Sequence, residues 1–159
     1  MNQDAQGIEI AQASKVTKAL VEAFTRLVPQ LSKSAAIPDP EMLAVILRSP
    51  CNTLLIARDT RNRGQILGVL TLVVFKIPTG TRALIEDVVV EKDARGRGLG
   101  EMLTREAIRL ALNQGARSID LTSSPAREAA NRLYRRLGFE PRETNLYRYS
   151  VKMTKDKVG

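Results

Sequence analysis

Hydrophobic positions along the chain change their period several times, and each change predicts an element. Gly7 to Ala13 alternates, with Ile8 and Ile10 on one side, and predicts a first strand. Ser14 then caps a helical pattern in which Val16, Leu20, Val21, Phe24, Leu27, Val28 and Leu31 recur at spacings of three and four. Ala36 to Pro38 breaks it. Asp39-Pro40-Glu41 starts a second, shorter helix, with a capping Asp and a Pro at the first helical position, and Ser49-Pro50 ends it. Three β-rich runs follow: Thr53 to Arg58, Gln65 to Ile77 and Ala83 to Val90, separated by polar turns. They predict an antiparallel meander. The helical period returns with Leu99, Met102, Leu103, Ala107, Leu110 and Ala111, closed by Gly115. Ser118 to Thr122 is a short strand. Ala126, Ala129, Ala130, Leu133, Tyr134 and Leu137 mark a last helix closed by Gly138, and Phe139 to Lys152 predicts two closing strands. The order is βααβββαβαββ, an α/β (α+β) fold with a mixed, mostly antiparallel central sheet flanked by helices.

The 159 residues correspond to one domain, 1–159, by size. Composition removes several chemistries. There is no histidine, which excludes His-based triads, zinc-finger spacings and His proton shuttles. The single cysteine, Cys51, excludes an intrachain disulfide and a multi-thiolate metal cage, so no metal is expected; the residue reads as a small buried side chain rather than a nucleophile. The longest near-apolar run, Ile66 to Phe75, is too short to span a membrane, and Met1 to Gly7 has no basic-then-apolar leader pattern. No membrane partner is expected, and the expected location is cytoplasmic.

Charge is unevenly placed. Of the net +8, residues 95–159 hold 14 of the 25 basic and 7 of the 17 acidic side chains. Such a field concentrates anions around the C-terminal half. Nucleic acid is one candidate, but six Phe and Tyr residues and no Trp make a poor base-stacking platform, and the basic residues are interspersed with acidic ones.

Arg95-Gly96-Arg97-Gly98-Leu99-Gly100 lies between a predicted strand and a predicted helix. The first helical turn has unpartnered N–H groups and the positive end of the dipole. Glycines let a phosphate reach the backbone, and Arg95 and Arg97 add charge at the rim. The bland reading is a surface loop with solvated arginines. A Walker loop would need Lys-Ser/Thr after the last Gly, where Glu101-Met102 stands. A dinucleotide fingerprint would want an acid about 20 residues on, where Asp120 falls, but the preceding meander argues against a doubly wound sheet.

The segment from Ile85 to Gly100 resembles the acetyl-CoA motif of the GNAT N-acetyltransferase superfamily, Gln/Arg-x-x-Gly-x-Gly/Ala after a strand, matched by Arg95, Gly98 and Gly100. Ala130-Asn-Arg-Leu-Tyr-Arg-Arg-Leu-Gly-Phe139 is similar to the family's closing Ala-x-x-Leu-Tyr-x-x-x-Gly-Phe, one helix and one strand downstream. The resemblance implies transfer of acetyl from acetyl-CoA to a primary amine in a ternary complex. It implies pyrophosphate on Arg95, Gly96, Arg97, Gly98, Leu99 and Gly100, and pantetheine along Val88, Val89 and Val90 at a bulge. Tyr134 would protonate the leaving sulfur; otherwise it is a core aromatic at helical spacing. Where the family often has Asn, seven positions before the Tyr, this chain has Arg127, while Asn131 lies three before it; either could touch the cofactor. With no histidine, the base is a carboxylate, a water relay or the substrate itself. Glu86 and Asp87 are the candidates, and strand alternation lets only one face the site, with Glu86 favoured; an ion pair is the alternative for the other. Arg135 and Arg136 read as a solvated face or as attraction for the 3′-phosphate. Ile85 to Val90 is also similar to the matching strand of glucosamine-phosphate N-acetyltransferases. Four of the six aromatics fall in residues 134–149, where the closing hairpin is expected to wall the acceptor site. The acceptor is open among a small amine, an amino sugar and a peptide amine. A homodimer is the family habit. The competing functions are a non-catalytic acyl-CoA-binding module and a basic nucleic-acid-binding protein.

Overall fold

A computed structural model describes residues 2–3 and 7–151. The elements in chain order are β1 (Asn2–Gln3), β2 (Ile8–Gln12), α1 (Lys18–Leu31), α2 (Pro40–Arg48), β3 (Asn52–Asp59), β4 (Gln65–Ile77), β5 (Gly80–Val90), a single 3-10 turn (Lys92–Ala94), α3 (Leu99–Asn113), β6 (Ile119–Leu121) and α4 (Glu128–Arg136). The strands form one sheet in sequential order β1 to β6. Every neighbouring pair is antiparallel except β5 and β6, which run parallel and are joined by α3. The mixed, mostly antiparallel sheet with flanking helices is the fold class expected from the sequence.

Each face of the sheet buries its own apolar cluster. Leu55, Leu70, Leu72, Ala83 and Ile85 pack with Leu99, Leu103, Ala107 and Ala111 of α3. On the other face Leu54, Ile56, Val69 and Val89 pack with Leu20, Ala23 and Leu27 of α1. The long β4–β5 hairpin joins both clusters, and because both faces of β4 are covered, Ile66 to Leu70 are buried without a break, so Gln65 to Ile77 reads as one near-continuous apolar run.

Three expectations need correction. The cap of α1 is Thr17, not Ser14: the Thr17 hydroxyl accepts from the Leu20 amide at 3.2 Å, and extended backbone at that position starts the helix later. Cys51 is exposed rather than buried, because it stands in the turn between α2 and β3, after Pro50 and before the strand begins. The two closing strands expected over Phe139 to Lys152 are not formed over residues 139–151; Lys152 lies outside the described residues. Glu140 to Val151 is exposed throughout, with Leu146, Tyr147, Tyr149 and Val151 at 74–92%. Alternation gave those residues strand character, but a two-strand ribbon with nothing to cover is marginal, and the neighbouring β6 pairs over only three residues.

The register of β4 on β5 skips between Val69 and Thr71, which pair with Val89 and Glu86. One extra residue therefore sits in β5, a β-bulge, and Asp87 carries it with φ 52°. The insertion inverts the pleat. Ile85 faces α3, whereas Val89, four residues on, faces α1. Gly68 pairs with Val90 just beyond the bulge, and a Cβ there would stand 3.1 Å from the Val89 carbonyl oxygen and 3.3 Å from Leu103. The carbonyl belongs to a strand and cannot yield easily. Gly68→Ala is expected to cost about 1–3 kcal/mol of unfolding free energy, read from the urea midpoint at unchanged m-value.

Candidate functional site

Most of the residues that the sequence singled out gather at the end of β5. A cleft of about 800 Å³ is lined by Val88, Val89 and Val90 on one wall, Arg95, Gly96, Gly98, Leu99 and Gly100 at its end, and Arg127 and Tyr134 on the α4 wall. Gly98 is the N-cap of α3, with φ 81° and no side-chain cap. The helix therefore presents its first-turn amides without an intrahelical acceptor. A Cβ at Gly96 or Gly98 would meet nothing within 4 Å, so the space over this turn is open.

Arg97 departs from its neighbours. It does not line the cleft; its Nη2 pairs with Asp59 at 3.3 Å, across a second cavity that also holds Arg26, Glu91 and Asp93. Burial pushes the Asp59 carboxyl up, but the Arg61 amide and the Arg97 and Arg61 guanidiniums outweigh it and hold the group below its ordinary value. On the same side Arg26 of α1 donates to Glu91 at 3.2 Å and to the Ile66 carbonyl at 2.9 Å. Gln30 donates to the other Glu91 oxygen, and its carbonyl accepts from the Lys92 amide at 2.9 Å. These contacts tie α1 and the β3–β4 turn to the loop from behind. Sequence reasoning missed Asp59, Glu91, Arg26 and Gln30, since pairs 30 or more residues apart leave no local pattern.

The α4 wall has its own tie. Arg136 donates to Glu101 at 2.6 Å, and Arg105 donates to the same carboxylate at 2.8 Å. The Arg136 and Arg105 guanidiniums, outweighing burial, hold Glu101 below the usual carboxylate range. Arg135 is exposed. Gly138, at φ 92°, ends α4: its amide bonds to the Arg135 carbonyl and the Phe139 amide to that of Tyr134. Phe139 thereby stacks edge-on against Tyr134, with centroids 5.9 Å apart at 70°. The Tyr134 side chain is buried; burial pushes its phenol up, and the Arg127 charge draws it part of the way back. Asn131 is engaged with the Ser124 carbonyl at 2.9 Å, whereas Arg127 reaches β5 and donates to the Val88 carbonyl at 3.4 Å. Glu86 and Asp87 are both exposed, and neither lines this cleft. By alternation from Ile85, Glu86 lies on the α1 face of the sheet.

The sequence model of the Acetyltransferase (GNAT) family matches residues 15–139. The chain belongs to the GNAT acetyltransferase family. The chain is similar to N-alpha-acetyltransferase 30 of Schizosaccharomyces pombe, 37% identical over 76 residues, covering 48% of this chain and 50% of that protein. It is similar to glucosamine 6-phosphate N-acetyltransferase of Trypanosoma brucei brucei, 35% identical over 86 residues, covering 52% and 56%. The chain thus spans about half the length of these curated relatives. Among solved structures, a transcriptional regulator from Bacillus halodurans C-125 superposes with a TM-score of 0.74 at 27% identity, covering 90% of this chain and 99% of that one.

The GNAT family uses acetyl-CoA, and the cleft fits it. Glycines without Cβ atoms open onto free space at a helix start, where a diphosphate can sit. The bulge leaves Val88 outside the ladder pairs and on the cleft wall, where an amide-bearing arm would run. The Ser123 hydroxyl is buried with no partner among the described residues, two residues beyond the last β5–β6 pair. Among those residues no group of three or more His, Cys, Asp or Glu could hold a metal ion, and no helix is long and apolar enough to cross a membrane.

The Glu101 tie has a pH signature. A carboxyl depressed in the folded state adds stability above its unfolded pKa, and that stability is lost as pH falls through the folded value. The stability advantage of the parent chain over Glu101→Gln is expected to be full above about pH 5 and to shrink below about pH 4, measured by urea unfolding across that range.

Proposed function

We propose that this chain is an acetyl-CoA-dependent N-acetyltransferase acting on a primary amine by direct attack in a ternary complex. The observation that carries the reading is the juxtaposition of an uncapped helix start at Gly98, the β5 bulge and the Tyr134 phenol around one cleft. The amides of Gly96 to Gly100, with the Arg95 guanidinium, hold the pyrophosphate; Leu99, itself buried, contributes only its backbone. Arg97 acts from behind, through Asp59, as a positioning residue. Backbone groups of Val88 to Val90 align the pantetheine arm and aim the thioester at the bulge.

When bound, acetyl-CoA supplies an activated acyl group: a C–N bond forms as the C–S bond breaks. Backbone N–H groups of β5 beside the bulge stabilise charge on the carbonyl oxygen. Tyr134 gives its proton to the departing sulfur; burial holds its phenol above the ordinary value, and the Arg127 charge opposes that rise. Glu86, exposed on the α1 face and outside the cleft lining, accepts the amine proton through a water relay, and Asp87 holds the bulge backbone. Asn131 fixes the approach to α4 through Ser124.

The test is turnover of acetyl-CoA against a panel of small amines, amino sugars and peptide N-termini, read as released thiol. Because Cys51 is exposed and would react with a thiol reagent, a Cys51→Ser background is used. At least one amine should be acetylated, and Tyr134→Phe should lower kcat by about 10²-fold with coenzyme A affinity nearly unchanged. Gly98→Ala forces an L-residue into left-handed backbone, a strain of about 1–2 kcal/mol, and should weaken coenzyme A binding roughly tenfold. Absence of calorimetric heat with coenzyme A overturns the reading, and binding without turnover of any amine leaves an acyl-CoA-binding module instead.

A further inference from the structure

Position 127 carries a cation where a smaller neutral residue would suffice to start the helix. Arg127 is the N-cap of α4 but caps nothing with its side chain. The guanidinium instead crosses the cleft and donates from Nη2 to the Val88 carbonyl at 3.4 Å. That is a long, weak hydrogen bond to a neutral acceptor. Val88 lies in the bulge, outside the β4–β5 ladder pairs, so the same carbonyl is open to an incoming amide N–H. Arg127 has no carboxylate partner among the described residues, whereas Arg132 pairs with Glu128 and Arg136 with Glu101.

On α4 stand Arg127, Glu128, Arg132, Arg135 and Arg136. From α3 comes Glu101, already paired twice. On β5, Glu86 and Asp87 are exposed and outside the cleft, and Arg95 of the loop donates to the Val90 carbonyl at 3.1 Å. Of these charges, that of Arg127 is the one that draws the Tyr134 phenol down against its burial.

We propose that Arg127 is the cation of the reacting end of the cleft: with donor bound, its guanidinium leaves the Val88 carbonyl and faces the departing sulfur beside Tyr134. This rests on the transferase reading above. The amine lone pair forms the C–N bond, the C–S electron pair stays on sulfur, and one amine proton passes to the base. The sulfur then takes the Tyr134 proton, and solvent restores the phenol. A fixed positive charge lowers the cost of the thiolate before that proton arrives, and it eases proton release from the phenol.

Two measurements decide it. First, in a Tyr147→Phe, Tyr149→Phe background, where Tyr134 is the sole phenol, tyrosinate absorbance is titrated in the ligand-free chain. Arg127→Ala should move the transition to higher pH and Arg127→Lys should not; an unmoved transition in Arg127→Ala overturns the assignment. Second, turnover is compared for acetyl-CoA and for acetyl-pantetheine, which lacks every phosphate. Arg127→Ala should lose about 10²-fold in kcat with both donors, with Lys restoring most of it. A loss confined to acetyl-CoA, or seen only in KM, overturns the assignment and makes Arg127 a phosphate ligand. A parent chain that acetylates no amine removes the transferase reading as a whole, whereas an active parent with an indifferent Arg127→Ala removes this role alone.

Discussion

One extra residue in β5 governs the site. Without it, Val89 would share the α3 face with Ile85 and the strand would run as an unbroken ladder to its end. With it, Val89 is buried against α1, Val88 and Val90 turn toward the α3 side, and part of the backbone leaves the ladder. The left-handed backbone at Asp87 costs about 1–3 kcal/mol, against the burial of Ile85 and Val89 on opposite faces, each 5% exposed or less. A sheet that accepts such strain at its centre, with apolar packing on both sides, gains a place where a ligand can hydrogen-bond to strand backbone.

The loop that follows is shaped by charge placed behind it. Glu91, where β5 ends, is gripped by Arg26 and Gln30 of α1, and Arg97 is anchored by Asp59 at the end of β3. These contacts fix both ends of the connection that delivers Gly98 to the start of α3. The front of the loop stays free of side chains because Gly96, Gly98 and Gly100 occupy it. Rigidity and openness are thus supplied by different residues, and neither compromises the other.

How much of this the sequence revealed depends on range. Elements from β2 to α4 are governed by local periodicity and caps: Asp39 does accept from the Met42 amide, and Gly138 does end α4. That the loop glycines and Tyr134 belong together is legible because two motifs share one register, and they line one cleft. The closing strands were not, since alternation in Leu146 to Val151 describes a surface ready to pair without naming a partner. The bulge could not be derived from a run of valines that suits a plain strand equally well, and strict alternation then placed Glu86 in a cleft that it does not line. The ties through Asp59, Glu91 and Glu101 are long-range and depend on packing, which a linear pattern does not encode.

Part of the basic charge is already matched by carboxylates. Arg97, Arg105, Arg109, Arg132 and Arg136 each face a carboxylate. Such pairs on the surface are nearly neutral in their far field and offer little to a polyanionic strand. Arg95 and Arg127 differ: within the cleft they rest on the carbonyls of Val90 and Val88, which are neutral acceptors, and neither has a carboxylate partner among the described residues. An anion entering the cleft need not break an ion pair to recruit them; it displaces only a backbone carbonyl at 3.1 or 3.4 Å. One of the two stands beside the glycine loop and the other opposite the bulge, so a long ligand carrying negative charge at both places would match both. This arrangement favours a discrete, elongated anionic ligand over a nucleic acid, because the two cleft arginines stand at separate points of one pocket rather than along a continuous track.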